Sequence, residues 1–161
     1  MADIFARDPH EDGRQSERAL TVQRGVRRML RLAGWSSIPE VTLRSGRRAD
    51  IMAVAENGDI TIIEIKSSLA DLRADAKWHE YREFCDRYYF AAPAALGIGP
   101  FPEDAGFIAA DDYGAAILRE AEVHRLAAAR RRMLLLQFAR LAADRLHLAA
   151  DPGAASELRE R

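Results

Sequence analysis

The sequence predicts a single α/β domain with a mixed sheet, laid out as helix, three antiparallel strands, helix and strand, and closed by a long C-terminal helix. Three observations carry that expectation. Apolar residues recur at helical spacing near both ends of the chain, over 16–33 and 125–148. Two apolar runs of strand length flank an Asn57-Gly58 turn signal. The 161 residues, 48% hydrophobic and 30% charged, suffice for one core, which at this size buries about two-thirds of the surface the unfolded chain exposes.

Residues 1–13 are polar, with Pro9 and Gly13, and read as a flexible leader. The domain is expected over 14–149 and a flexible tail over 150–161, where Pro152 and Gly153 stand. Leu20, Val22, Val26, Met29, Leu30 and Ala33 recur at helical intervals and Gly34 supplies a stop, so a first helix is expected over 16–33. Arg24, Arg27, Arg28 and Arg31 lie mainly away from its apolar stripe. A strand is expected at 41–44, then a hairpin of 50–55 and 60–66. Residues 69–81 predict a helix, or a loop followed by a helix. Residues 88–92 read as a fourth strand. Pro93, Gly97, Gly99, Pro100 and Pro102 mark a loop before a fifth strand at 106–110, and Asp111-Asp112 reads as a strand end followed by a helix cap. In the last helix, 125–148, Leu126, Met133, Leu136, Leu141 and Leu148 are the buried candidates, and Arg130-Arg131-Arg132 is read as solvated.

Composition bounds the function. Apolar runs such as 133–136 fall far short of the roughly 20 residues of a membrane span, and Asp3, Asp8, Glu11 and Asp12 make the start too acidic for a secretory signal. Cys85 is the single cysteine, so an intramolecular disulfide is impossible, which fits a reducing, cytoplasmic setting. The net charge of -1 conceals segregation: residues 14–48 carry +7, 49–113 carry -8 and 114–161 carry +3. Either a basic face beside an acidic site or a set of solvated helix faces gives such a pattern. Of 24 Lys plus Arg, only Lys66 and Lys77 are lysine; codon bias accounts for the arginines but not for where those two stand.

The stretch that carries chemistry is Arg47-Arg48-Ala49-Asp50, followed after the hairpin by Glu64-Ile65-Lys66. Strand side chains alternate, so Glu64 and Lys66 share a face with Ile60 and Ile62. A carboxylate and an ammonium ending an apolar strand are costly to bury without partners, and either a structural ion pair or an active site would provide them. Register decides whether Asp50 joins. A two-residue turn pairs Asp50 with Ile65 and sends its carboxylate to the wrong face; a three-residue turn of Glu56-Asn57-Gly58, with Gly58 left-handed, pairs it with Glu64. The second register is expected. Asp50 and Glu64 would then offer hard oxygen ligands for Mg²⁺ or Mn²⁺, with the Ile65 carbonyl as a third. Lys66, a compact point charge, would orient water and stabilise charge developing at phosphorus.

This arrangement resembles the PD-(D/E)XK nuclease superfamily, with Ala49 where the name has proline. The wider text, Gly46-Arg47-Arg48-Ala49-Asp50, Glu64-Ile65-Lys66-Ser67-Ser68, Asp71-Leu72-Arg73-Ala74-Asp75-Ala76-Lys77-Trp78, and Tyr81 with Cys85-Asp86-Arg87, resembles the MmcB-like family of bacterial DNA repair proteins over about residues 23–143. The resemblance implies a restriction-endonuclease-like core and a Mg²⁺- or Mn²⁺-dependent deoxyribonuclease acting on damaged, branched or single-stranded DNA in the cytosol. Asp50, Glu64 and Lys66 are its catalytic residues, and Glu40 is a weaker metal match. Glu17, the one acid of the first helix, ranks below Glu40.

For nucleic acid, Arg47, Arg48 and Lys77 are the expected phosphate contacts, although Arg47 or Arg48 could instead pair with Glu40 or Glu64. Trp78 could stack on an exposed base or, the favoured reading, cover the sheet. Tyr81 and Phe84 read as core, His79, His124 and His147 as surface or satisfied, and Cys85 as a small buried residue. Binding by the arginine-rich first segment should weaken steeply with salt. The partners expected are DNA, with RNA left open, and other repair proteins, for a monomer or homodimer without membrane attachment. The competing function is a non-catalytic DNA-binding or scaffold module on the same fold.

Overall fold

The computed structural model describes residues 16–154. The expected leader and the end of the expected tail lie outside them. In the order of the chain come α1 (Glu17–Leu32), β1 (Ser36–Thr42), β2 (Arg48–Val54), β3 (Ile60–Ile65), α2 (Leu69–Ala74), a 3₁₀ segment (Trp78–Phe84), β4 (Arg87–Pro93), β5 (Gly106–Ala110), β6 (Ala115–Arg119) and α3 (Ala128–Ala150), with a short 3₁₀ turn at Ala94–Leu96. The strands form one six-stranded sheet in the order β1-β2-β3-β4-β5-β6. β1, β2 and β3 are antiparallel, β3, β4 and β5 parallel, and β6 returns antiparallel to β5.

Both faces of the sheet are covered, which is why β3 is buried along its whole length. On one face α1 lays Val22, Val26 and Leu30 against Ile51, Ile63, Tyr89 and Ile108. The Ser16 hydroxyl caps its start and Gly34, at φ +82°, follows its end. On the other face Met52, Ile60, Ile62 and Phe90 pack with Trp78, Tyr81, Phe84 and Leu134. Among the described residues no helix is long and apolar enough to cross a membrane.

The structure corrects the expected elements in four places. β1 begins at Ser36, not at 41, because Pro39 and two serines hide an edge strand whose outer N–H groups need no partner. The 69–81 helix is two pieces, six residues of α2 and then the 3₁₀ segment. Asp111 does not cap a helix; its carboxylate receives the N–H groups of Tyr113 and Gly114 at 2.8 and 2.9 Å, and this side-chain turn leads into the unexpected β6. In α3 Leu134 is the buried residue while Leu136 stays 59% exposed. Nor is Arg131 solvated: it donates twice to the fully buried Asp86, at 2.6 and 2.7 Å, and Asp86 also receives the N–H groups of Ile60 and Leu126.

Candidate active site

The turn between β2 and β3 sets the site. Gly58 adopts φ +84° and donates its N–H to the Ala55 carbonyl, while the Ala55 N–H donates to the Asp59 carbonyl. Glu56, Asn57 and Gly58 are therefore the three loop residues. The resulting register pairs Val54 with Ile60 and runs to Ile51 with Ile63, so Asp50 stands opposite Glu64 as the three-residue turn required. Across the other edge of β2, Pro39 pairs with Ile51 and Val41 with Ala49, which puts Glu40 opposite Asp50. Three acids thus lie in one row across three strands.

Beyond Ile51 and Ile63 the regular pairing stops and side chains take over. The Asp50 Oδ2 accepts the Ile65 N–H at 2.8 Å, and Glu64 Oε1 accepts the Asp50 N–H at 3.1 Å. Each carboxylate holds the other's strand. Among the described residues no hydrogen bond reaches Asp50 Oδ1 or Glu64 Oε2. Glu64 is 5% exposed and Lys66 7%. Burial, followed by the charge of Asp50, pushes the Glu64 carboxyl well above its ordinary value, against the opposing pull of the Asp50 N–H and Lys66. Burial also raises Asp50, opposed by the Ile65 N–H and by Lys66.

Lys66 follows the same strand end, its N–H on the Ala91 carbonyl of β4 and its Nζ 2.7 Å from Asp75 Oδ2. Sequence reasoning missed Asp75, since no spacing rule pairs residues nine apart across a short helix. Its presence in the Asp71–Trp78 motif was the available signal. α2 positions it: the Ser68 hydroxyl caps the helix through the Asp71 N–H, and the Asp71 carboxylate takes the Ser67 N–H in return. Asp75 closes the far end, accepting the Lys77 N–H.

The other expected site residues divide. Glu40, at φ +51°, is the one described non-glycine residue in the left-handed region, a conformation that costs about 1 kcal/mol or more. It interrupts the β1 pairing, and its carboxylate lies 3.8 Å from Arg48 Nη2 while its carbonyl accepts from Arg145. No set of three His, Cys, Asp or Glu side chains converges as a metal cage among the described residues, so Glu40 is not brought in as a third ligand. Arg48 and Lys77 are exposed beside the site. Arg47 is engaged by Glu80 at 2.5 Å. Trp78 is 5% exposed and stacks on Tyr88 at 5.2 Å, which makes it core, the favoured reading, and overturns the nucleic-acid contact also expected of it. Tyr81 and Phe84 are core as expected, and the Tyr81 hydroxyl donates to the Arg48 carbonyl. Burial pushes the Cys85 thiol up to about 12, so it is inert.

The donor set fits a hard divalent cation. The buried Glu64 carboxylate, raised further by the charge of Asp50, and the half-buried Asp50 carboxylate, each with an oxygen left over, would be relieved by a cation, and Ile65 places a main-chain carbonyl on the same strand end. The Tyr88 hydroxyl, buried without a hydrogen-bond partner among the described residues and raised by burial and by the nearby Glu64 and Asp75, marks a further polar demand beside them.

The chain matches the family model described as MmcB-like, DNA repair protein MmcB-like, over residues 6–153. It is similar to the solved structure of the SPO1766 protein of unknown function from Silicibacter pomeroyi, with a TM-score of 0.82 and 42% identity over 87% of this chain and 96% of that one. No curated protein matches it.

Proposed function

The chain belongs to the MmcB-like family of DNA repair proteins, and we propose that it is a Mg²⁺- or Mn²⁺-dependent deoxyribonuclease whose centre is Asp50, Glu64 and Lys66. The observation that carries this reading is the mutual hold of Asp50 and Glu64 at the parted end of β2 and β3, with Lys66 two residues on. A structural ion pair needs one acid for Lys66, and Asp75 already provides it. The buried Glu64 and half-buried Asp50 carboxylates have no cation in direct contact among the described residues, and their desolvation costs stability.

Asp50 Oδ1, Glu64 Oε2 and the Ile65 carbonyl are the atoms that would hold the metal. Such an ion lowers the pKa of bound water and neutralises a phosphoryl oxygen. Asp50 and Glu64 would hold the ion and be kept ionised by it. Asp75 fixes the Lys66 ammonium, which then presents positive charge toward the phosphate without reorganising as charge develops. Arg48 and Lys77, exposed at the rim, hold the flanking phosphates. The substrate class is damaged, branched or single-stranded DNA.

One observation favours the alternative, a DNA-binding scaffold. The Lys66 charge is neutralised by Asp75 at 2.7 Å, and both carboxylates already accept main-chain N–H groups, so the network can stand as structure alone. Nicked, branched, single-stranded and crosslinked DNA, with an RNA lane, incubated with Mg²⁺ or Mn²⁺ separates the two. The nuclease reading expects cleavage by the wild type and none by Asp50→Ala or Lys66→Ala. Absence of cleavage from every substrate, with DNA binding intact in all three proteins, would establish the scaffold.

A further inference from the structure

α1 carries a second feature that the carboxylate centre does not use. Arg24, Arg27, Arg28 and Arg31 are exposed along one side of the helix and line a cavity of about 830 Å³ with Trp35 and Tyr113. None of the four forms an ion pair with a carboxylate among the described residues. Arg27 donates to the Ser37 hydroxyl and carbonyl, and Arg28 to the Asp112 carbonyl. These hydrogen bonds aim the guanidiniums without neutralising them. Tyr113 is 88% exposed at the tip of the β5–β6 turn. It is brought to the helix by Gly25, where an added Cβ would lie 2.6 Å from the Gly114 carbonyl oxygen and 2.7 Å from that of Asp111.

We propose that this groove binds single-stranded DNA adjoining the site of reaction. Four guanidiniums with no carboxylate partner among the described residues call for a polyanion, and from Arg24 to Arg31 they cover about 10 Å of helix, the length over which a stacked strand presents about three phosphates. The exposed Tyr113 ring and the half-buried Trp35 distinguish the partner among polyanions: aromatic faces beside cations are how single strands are held, by base stacking without sequence readout. A cavity of this size admits a few nucleotides and not the cross-section of a duplex. The groove and the carboxylates lie on opposite faces of the sheet, Ser37 beside Ala53 of the α1 cluster and Asp50 and Glu64 on the face of Met52 and Ile62, with the edge strand β1 between them. A strand held by α1 would pass round the β1 edge to reach Arg48 and the metal-binding oxygens.

The inference rests on the DNA reading above for the identity of its partner, but not on catalysis. The test is fluorescence anisotropy of the full chain with a labelled oligo(dT) of about a dozen nucleotides, in EDTA so that metal binding and cleavage play no part. The Arg24→Glu/Arg31→Glu variant should bind at least tenfold more weakly, with a salt slope shallower by about 0.7 for each phosphate that is no longer neutralised. Trp35→Phe and Tyr113→Ala, which leave the charge intact, should each weaken binding several-fold, and Asp50→Ala should bind as the wild type does. Unchanged affinity in the arginine variant overturns the groove and leaves the carboxylate centre standing. Equal displacement by heparin or blunt duplex, with no effect of the ring variants, overturns the assignment to single strands. Loss of cleavage with these binding results preserved would sink only the nuclease.

Discussion

Lys66 and Asp75 meet at 2.7 Å with side chains only 9% and 13% exposed, so an ammonium at the end of β3 is held by an acid delivered from the far end of α2. Removing one partner leaves the other charge buried. Asp75→Ala should therefore destabilise the protein by about 3 kcal/mol, whereas Asp75→Ala/Lys66→Met should recover much of that loss, since an apolar replacement of both partners removes the desolvation cost. Urea midpoints of the two variants check this. A double variant less stable than the single one would show that Lys66 does more than pair with Asp75, as its charge beside Asp50 and Glu64 allows.

Asp50 and Glu64 act in the opposite sense. Burial raises both carboxyl pKa values above those of the unfolded chain. Between the unfolded value near 4 and the raised folded values the native state binds more protons, so stability falls as pH rises through that window, and the loss persists at neutral pH. Glu64→Gln keeps an acceptor for the Asp50 N–H and should raise the stability of the metal-free protein at pH 7. A bound divalent cation offsets the same penalty in the wild type, by about 2.7 kcal/mol at a hundred times its dissociation constant. Thermal melts with and without Mn²⁺ should show an upward shift for the wild type and little or none for Glu64→Gln.

How far the sequence carried depended on whether the physics was local. The β2–β3 turn was legible because three residues with a left-handed glycine fix a hairpin register, and register alone decides that Asp50 faces Glu64. The α1 stripe was legible because its period is helical. Asp75, Asp86 and Arg131 were not legible, because each is paired across elements that only the folded sheet brings together. Trp78 sat among charges and could serve a base or, as favoured, a core, and its neighbours Tyr88 and Phe90, on a strand ten residues on, decided for the core. β6 was hidden because an aspartate at a strand end serves a side-chain turn as readily as a helix cap.

Asp86 ties three segments that are distant in sequence: the start of β3 through Ile60, the approach to α3 through Leu126, and α3 through Arg131. Burial pushes its carboxyl up, but the Arg131 hydrogen bond, the two main-chain N–H donors and the Arg131 charge together bring it below the ordinary value. A lowered folded pKa contributes stability that is present above the unfolded value near 4 and is lost as pH falls through the folded one. Asp86→Ala should cost about 3 kcal/mol at pH 7 by stranding Arg131 and two buried N–H groups. The deficit should narrow on acidification below pH about 4. Urea unfolding at both pH values measures it, and a deficit that does not change with pH would contradict an ionised Asp86 as its source.

Gly25 sits in the interior of α1, where alanine is better by about 1 kcal/mol on helix propensity alone. Propensity should lose here. A methyl group at this position meets the carbonyl oxygens of Gly114 and Asp111 below 3 Å, and both are main-chain atoms that cannot rotate aside. Either α1 lifts from the sheet, which loosens its packing at Val22 and Val26, or the β5–β6 turn shifts and weakens the Asp111 bonds to Tyr113 and Gly114. Overpacking of this kind costs about 1–3 kcal/mol, more than the propensity gain. Gly25→Ala should therefore lower the urea midpoint. If the strain is taken up by the turn, the single-strand affinity of the groove falls with it, because Tyr113 moves away from Arg24 and Arg28. Normal stability together with normal oligo(dT) binding in Gly25→Ala would show that the turn, and with it Tyr113, is not seated on α1 as closely as the glycine implies.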